Sequence, residues 1–256
     1  MDVFKYNSAA WDNEVLIGNS WTKAVSADQV ANAKNGNYNI FLSPVKAVPS
    51  SWLNSISGKK ILCLASGGGQ QGPLLAAAGA IVTVFDASKN QLEQDQFVAQ
   101  RDGLQIDTVL GDMKDLRCFA DHSFDFIINP PSNCFVPDVK PVWKECYRIL
   151  KAGGQLLSGF GNPITYSFDR SLIAQGILQL KYALPYSDLI SLTDIERKEF
   201  IDRNEPLEFG HTLEDQIAGQ INIGFMITGF YEDKWGNGNI EDQYFSHFIV
   251  TRAIKV

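Results

Sequence analysis

Three glycines and one carboxylate, spaced along a strand–helix–strand pattern, carry the clearest chemical signal in this sequence. Gly67, Gly68 and Gly69 follow an apolar run and precede a segment typical of a helix. Glycine has no Cβ, so such a turn brings backbone close to a ligand, and the following helix directs free N–H groups toward it. Asp86 ends the next apolar run, where a carboxylate can accept hydrogen bonds from a ribose diol. The pattern predicts a nucleoside site.

The elements that would position this site alternate between strand and helix. Short apolar runs typical of parallel strands occupy residues 60–64, 81–85, 106–110, 124–128 and 155–159, with helices at about 72–78, 89–102 and 139–150. Two last strands at 225–231 and 245–253, with the turn signal Asn237-Gly238 between them, predict a hairpin. We therefore predict an α/β fold: a doubly wound, mainly parallel seven-stranded sheet with an antiparallel C-terminal hairpin strand.

The chain outside this alternation falls into two further parts. Residues 1–58 hold three tryptophans and predict a helical extension that caps the core at 59–256. It either completes the core or closes over a ligand, and the sequence leaves both roles open. Residues 162–208 break the strand–helix rhythm and predict an insertion at the carboxyl edge of the sheet, on the substrate side, where ligands bind in such folds.

Composition excludes several classes of protein. The chain has 256 residues, a net charge of −7 and no dense Lys/Arg cluster, which argues against nucleic-acid binding. It has no apolar run long enough to cross a membrane and no secretion signal, so we predict a cytoplasmic protein. Its four cysteines form no C-x-x-C pair, which argues against a metal site, and Cys134 is the loop thiol to consider for reactivity. Nothing indicates an oligomeric state.

The identity of the nucleoside is open at this point. Gly67, Gly69 and Gly72 match G-x-G-x-x-G, the dinucleotide fingerprint, which makes an NAD(P)-dependent oxidoreductase an alternative. A Tyr-x-x-x-Lys pair, Tyr147 and Lys151, also occurs. Three features argue against that alternative. The glycine turn follows a long N-terminal extension, and the Tyr-Lys pair lies at the end of a helix before the fifth strand. The usual dinucleotide-binding sheet also lacks a terminal hairpin.

Five ordered motifs carry a resemblance to a known family: ILCLASGGG, VTVFDASKNQL, GDMKDL, FDFIINPPSNCFVPD and WKECYRILKAGGQLL. Over residues 59–256 the chain resembles class I S-adenosylmethionine-dependent methyltransferases, of the small-molecule group similar to ubiquinone- and menaquinone-biosynthesis enzymes. It departs from the pattern at Cys63, which replaces the usual acid of the first motif, and at Ala65, which replaces its first glycine. Ser66 or the N-terminal segment would then compensate at the amino-acid end of the cofactor.

The resemblance implies S-adenosylmethionine as cofactor and a set of contacts to it: Ala65, Ser66, Gly67, Gly69, Asp86, Ala87, Gln91, Gly111, Asp112, Met113 and Asn129. Asp86 would accept from the ribose hydroxyls, Asp112 from the adenine amine, and Met113 would cover the base. Two plainer interpretations stay open, because Asp86 could cap the next helix and Asp112 could serve only a turn.

Catalysis makes modest demands, because the cofactor carries an electrophilic methyl group and the protein must align the acceptor and exclude water. The candidate catalytic residues are His211, at the end of the insertion, Tyr166, at its start, and Asn129, after the fourth strand. Asn129 begins an Asn-Pro-Pro sequence, but Ser132 replaces the aromatic residue that would stack on a base. We predict a small-molecule acceptor; a non-catalytic S-adenosylmethionine-binding protein is the second alternative.

Overall fold

The computed structural model describes residues 1–236 and 238–256, so the turn predicted at Asn237-Gly238 lies in part outside the described residues. The strands are β1 (Lys60–Leu64), β2 (Ile81–Asp86), β3 (Ile106–Leu110), β4 (Phe124–Asn129), β5 (Leu150–Gly161), β6 (Tyr186–Ser187), β7 (Phe209–Gly210), β8 (Phe225–Asp233) and β9 (Phe248–Lys255). The α-helices are α1 (Val3–Leu16), α2 (Ala27–Lys34), α3 (Gln71–Ala77), α4 (Lys89–Asp102), α5 (Lys140–Ile149), α6 (Arg170–Ile173), α7 (Asp194–Asp202) and α8 (Gly219–Ile223). Over these described ranges, no helix is both long and apolar enough to cross a membrane.

Seven strands form one sheet in the order β3-β2-β1-β4-β5-β9-β8. The first five are parallel, and β9 pairs antiparallel with both β5 and β8. The predicted doubly wound sheet with a C-terminal hairpin is therefore confirmed. The strand order reverses between β1 and β4, and this switch point opens a crevice at the carboxyl ends of the strands.

Two predicted boundaries are wrong for reasons of local geometry. The fifth strand begins at Leu150 rather than at residue 155, because its pairing with β4 jumps from Leu150 opposite Phe124 to Gln155 opposite Phe126. The residues between form a bulge in which Gly153 has a φ of +75°, a conformation that favours glycine. The last strand begins at Phe248 rather than at residue 245, after a 3₁₀ turn at Ile240–Gln243.

Helix α1 connects the core to the insertion. The Asn7 amide donates to the carbonyl oxygen of Leu207 at 2.9 Å, and its oxygen accepts from the Leu207 N–H at 2.8 Å. Farther along the helix, the Asp12 carboxylate accepts from the hydroxyl of Ser88 and the N–H of Asn90, at the start of α4. The N-terminal segment thus has specific contacts with two distant parts of the chain, although its division from residues 59–256 as a separate unit stays a prediction.

The insertion at residues 162–208 contains the 3₁₀ turn Pro163–Ser167, α6, β6 and α7, and β6 pairs antiparallel with β7, which follows directly after the insertion. Tyr186 in β6 stacks on Tyr166, with ring centroids 5.2 Å apart and an interplanar angle of 16°. The guanidinium group of Arg170 lies 5.6 Å from the ring centroid of Tyr166. These contacts hold the insertion together just after the carboxyl end of β5.

Gly159→Ala is expected to lower the free energy of unfolding by about 3 kcal/mol. A Cβ at Gly159, in β5, would lie 2.0 Å from the backbone oxygen of Leu42, so either the strand or the N-terminal segment must move. Gly161→Ala, two residues along the same strand, is the matched control, because its added Cβ meets no atom within 4 Å. Urea unfolding of both variants measures the difference; equal stability would contradict the expectation.

Candidate active site

A cavity of about 690 Å³ opens at the carboxyl ends of β1, β2, β4 and β5. Its volume falls within the range of about 300–1,000 Å³ typical of small-molecule sites. The N-terminal segment covers part of it through Trp11 and Trp21, and the insertion contributes Tyr166 and Arg170. The cavity is therefore built by all three parts of the chain, on the switch point of the sheet.

The glycine loop forms the floor of one half of the cavity. Ala65 has a φ of +46°, in the left-handed region that favours glycine, at the position where the family motif has one. Such a non-glycine residue costs about 1 kcal/mol or more and is typical of functional turns. The N–H of Gly67 donates to Asp86 Oδ2 at 2.9 Å, and a Cβ at Gly67 would lie 2.7 Å from the Cβ of Gln91. The loop is held tightly against β2 and α4.

Asp86 lies at the end of β2 and lines the cavity. Its carboxylate accepts from the N–H groups of Gly67 and Ser88. Burial raises the pKa of this carboxyl, while those two hydrogen bonds oppose the rise. The cap of α4 is Ser88, whose hydroxyl accepts from the Gln91 N–H, so the alternative of Asp86 as the cap is incorrect.

The predicted adenine side of the cavity is formed by Gly111, Asp112, Met113 and Gln91. A Cβ at Gly111 would lie 2.4 Å from the Phe85 ring, so a larger residue there would have to displace a buried side chain. Asp112 accepts from the Lys114 N–H in a turn and also lines the cavity, so its role toward the adenine stays a prediction. Gln91 Oε1 is buried beside Gly68 and has no hydrogen-bond partner among the described residues.

Nine of the eleven predicted cofactor contacts line the cavity: Ala65, Ser66, Gly67, Asp86, Ala87, Gln91, Gly111, Asp112 and Met113. The other two do not. Gly69 supports the loop from behind, because a Cβ there would lie 2.9 Å from that of Ala24 and 3.0 Å from the Gln94 oxygen. Asn129 is fully buried, and its amide bonds to the Leu64 oxygen and the hydroxyls of Ser132 and Ser158, so it joins the ends of β1, β4 and β5 instead.

Asp95 was not found from sequence, yet it is a fully buried acid that supports the glycine loop. It lies on α4 beneath the loop, and its Oδ2 accepts from the N–H groups of Gly68 and Gly69, each at 3.1 Å. Burial raises its pKa to about 8, and its Oδ1 has no hydrogen-bond partner among the described residues. The thiol of Cys63 is also buried, and its pKa is raised by burial and by the nearby Asp95 carboxyl. An acid from α4 thus supports the loop where Cys63 departs from the motif.

The structure places the catalytic candidates His211 and Tyr166 in different surroundings. His211 is buried outside the cavity lining, with its Nε2 3.0 Å from the Asn133 oxygen, and burial lowers its pKa. The structure thus gives it a packing role rather than the catalytic one considered from sequence. Tyr166 lines the cavity, and burial holds its pKa well above the usual range. Burial likewise raises the pKa of Cys134, which disfavours the thiolate form that a nucleophile requires.

The charge of the cavity distinguishes between possible ligands. Its charged residues comprise five carboxylates and two cations: Glu14, Asp86, Asp112, Glu205, Glu208, Lys114 and Arg170. Both cations are already paired, because Arg170 lies 2.9 Å from Glu208 and Lys114 lies 3.4 Å from Asp112. An excess of negative charge attracts a sulfonium cation and repels a pyrophosphate. The cavity is therefore suited to S-adenosylmethionine and unsuited to a dinucleotide.

Comparison with known proteins agrees with this geometry. A family model described as a methyltransferase domain matches residues 62–158. The uncharacterized methyltransferase YbaJ of Bacillus subtilis (strain 168) is 54% identical over 251 residues, which cover 98% of each chain. The chain belongs to the class I S-adenosylmethionine-dependent methyltransferases. Its cofactor is S-adenosylmethionine, and the family assignment does not support the oxidoreductase and non-catalytic alternatives.

More distant relatives of this methyltransferase show how widely the fold is shared. A ubiquinone biosynthesis O-methyltransferase of Idiomarina loihiensis is 28% identical over 188 residues, covering 68% of this chain and 76% of that one. The crystal structure of an S-adenosylmethionine-dependent methyltransferase from Mesorhizobium loti has a TM-score of 0.62 at 18% identity, covering 80% of this chain and 95% of that one. The second similarity concerns the fold alone.

The Tyr-Lys pair of the oxidoreductase alternative has structural roles in this methyltransferase. The Tyr147 hydroxyl donates to the Val256 oxygen at 3.2 Å, and Lys151 forms an ion pair with Asp125 at 2.9 Å. Lys151 lies in the bulge at the amino end of β5, whereas the cavity lies at the carboxyl ends of the strands. Neither residue lines the cavity, so a Tyr-Lys reductase dyad is absent from it.

Proposed function

We propose that this methyltransferase transfers the sulfonium methyl group to a hydroxyl of a small, largely apolar acceptor. The cofactor supplies the electrophilic methyl carbon, and the protein binds and orients both molecules. Asp86, Gln91 and Asp112 would hold the nucleoside. The remaining space, over β5 and β9, would hold the acceptor.

The lining of that space carries the proposal. We call it the acceptor half; its residues are Gly161, Thr165, Tyr166, Trp235, His247 and Phe248. Trp235 and Phe248 pack edge to face with centroids 4.7 Å apart, which gives a largely apolar wall. Apolar walls with a few polar groups are typical of sites that enclose small molecules. The Idiomarina relative, an O-methyltransferase, supports a hydroxyl as the receiving group.

Closure of the cavity also favours a small acceptor over a polymer. Trp11, on the helix α1 that covers part of the cavity, packs edge to face on Phe135 with ring centroids 5.0 Å apart. The two hydrogen bonds between Asn7 and Leu207 hold α1 in place. A nucleic acid would have to displace α1 to enter the cavity, and its phosphates would be repelled by the five carboxylates of the lining. We therefore retain the proposal of a small-molecule acceptor without nucleic-acid binding, and a cytoplasmic location stays a prediction.

Incubation with methyl-labelled S-adenosylmethionine and a panel of substituted phenols tests the proposal. We expect a labelled methyl ether, identified by mass spectrometry, and the binding of S-adenosylhomocysteine by calorimetry. The Asp86→Ala variant serves as the negative control, since it should bind little cofactor. Transfer of label only to nitrogen or carbon acceptors, or only to a macromolecule, would refute the proposed acceptor class while leaving the family assignment intact.

A further inference from the structure

A threonine and a histidine are paired in the acceptor half. Thr165 lies in the 3₁₀ turn Pro163–Ser167 after β5, and its Oγ1 lies 2.8 Å from Nδ1 of His247. Both residues line the cavity. Their segments are held together by the antiparallel register of β5 with β9 and by the Asn162 N–H, which donates to the His247 oxygen at 2.7 Å. The pair is therefore positioned by rigid elements.

The second nitrogen of His247 faces two acids. Its Nε2 lies 3.8 Å from both Glu241 Oε2 and Asp242 Oδ1, and it has no hydrogen-bond partner among the described residues. The His247 side chain is only 1% exposed, between the rings of Trp235 and Phe245. An imidazole with a hydroxyl on one side and carboxylates on the other is arranged to receive a proton and to have the resulting charge stabilised.

We infer that Thr165 and His247 together receive the proton of the acceptor hydroxyl during methyl transfer, an inference that rests on the proposed function. The acceptor oxygen forms a bond to the methyl carbon, and the electron pair of the carbon–sulfur bond stays on sulfur. The acceptor proton passes to Thr165 Oγ1 as the proton of Thr165 passes to His247 Nδ1. The sulfonium charge is lost, and an imidazolium beside Glu241 and Asp242 replaces it, so charge balances.

The resting charge state of His247 agrees with this role. Burial lowers its pKa to about 4, with Asp242 opposing that shift, so the ring is neutral near pH 7. A pKa this low also makes the ring a weak base, so its protonation during transfer depends on the acids that lie beside Nε2. The titratable and charged groups near it are Glu241, Asp242 and Arg170. Burial raises the pKa of Glu241, and the charge of Arg170 opposes that rise. Thr165 is the residue that would contact the acceptor, and His247 would act through it.

Two acceptors of different acidity test the inference: phenol, which is neutral at mildly alkaline pH, and 4-nitrophenol, which is ionised there. Thr165→Val and His247→Gln are expected to slow transfer to phenol about 100-fold. Transfer to 4-nitrophenol should change little, because that acceptor has no proton to lose. Thr165→Ser, which keeps the hydroxyl, should retain activity on both.

His211→Gln is the matched control for loss of a buried histidine, because His211 lies outside the cavity lining. It should leave both rates close to those of the natural enzyme. Calorimetry with S-adenosylhomocysteine should show unchanged binding in all four variants.

Equal losses of rate on the two phenols, or no loss of rate on phenol, would overturn the inference. If the natural enzyme bound the cofactor but methylated neither phenol, the acceptor class and the inference would both fail, whereas absence of cofactor binding would refute the proposed function itself.

Discussion

Asp86→Ala is expected to weaken the binding of S-adenosylhomocysteine about 1,000-fold. Two charge-assisted hydrogen bonds to the ribose would be lost at about 2 kcal/mol each, and about 1.4 kcal/mol corresponds to a factor of ten. The same carboxylate holds the Gly67 N–H at 2.9 Å, so its removal also loosens the loop. Isothermal titration calorimetry measures the change directly.

Two further variants separate recognition of the ribose from support of the loop. Asp86→Asn keeps one acceptor oxygen for the Gly67 N–H but loses the charge, so it should lie between the natural protein and Asp86→Ala. Asp107→Ala removes an exposed carboxylate from the neighbouring strand β3 and should leave binding unchanged. Tight binding by Asp86→Ala would show that the nucleoside lies elsewhere.

Asp95→Asn is expected to remove a large pH dependence from the stability of the fold. The pKa of Asp95 is about 8 in the folded protein, against 3.8 for an ordinary aspartate, because burial favours its neutral form. Its stabilising contribution is complete below the unfolded pKa and is lost as the pH rises through the folded one. Between roughly pH 5 and pH 7.5 the natural protein should therefore lose about 3 kcal/mol that asparagine, an uncharged isostere, does not lose.

Denaturant unfolding of the two proteins at both pH values measures that difference. Other groups titrate equally in the two proteins, so the comparison isolates Asp95. Asp107→Asn, at an exposed position, should follow the natural protein at each pH. Parallel stability curves for Asp95→Asn and the natural protein would contradict a neutral buried carboxyl under the loop.

The sheet core and the part of the cavity that would hold the cofactor could be predicted because the sequence patterns that indicate them are local. A strand, a glycine turn, a helix and the Asp86 carboxylate all fall within about thirty residues, and the helix predicted at 89–102 matches α4. Asp95 was missed because aspartate is rarely buried, so an acid in a helix is normally interpreted as exposed. Its spacing from Leu92 and Val98 places it on the same buried face of α4.

In the acceptor half, Tyr166 was a candidate from sequence, but the pairing of Thr165 with His247 could not be predicted in this way. Thr165 and His247 are 82 residues apart, and their contact depends on the antiparallel register of β5 with β9. A shift of one residue in that register would turn the side chains of β9 to the other face. The same limit applies to His211, because its position near the insertion in the sequence does not reveal that its ring contacts the Asn133 oxygen outside the cavity.

The excess of carboxylates around the cavity has a consequence for the end of the catalytic cycle. Methyl transfer converts a cationic cofactor into a neutral thioether, so the attraction that favoured entry no longer acts on what must leave. The negative lining should thus make this enzyme less prone to product inhibition than a neutral site of the same shape. The advantage should shrink as added salt screens the field, since the Debye length falls to about 3 Å near molar ionic strength.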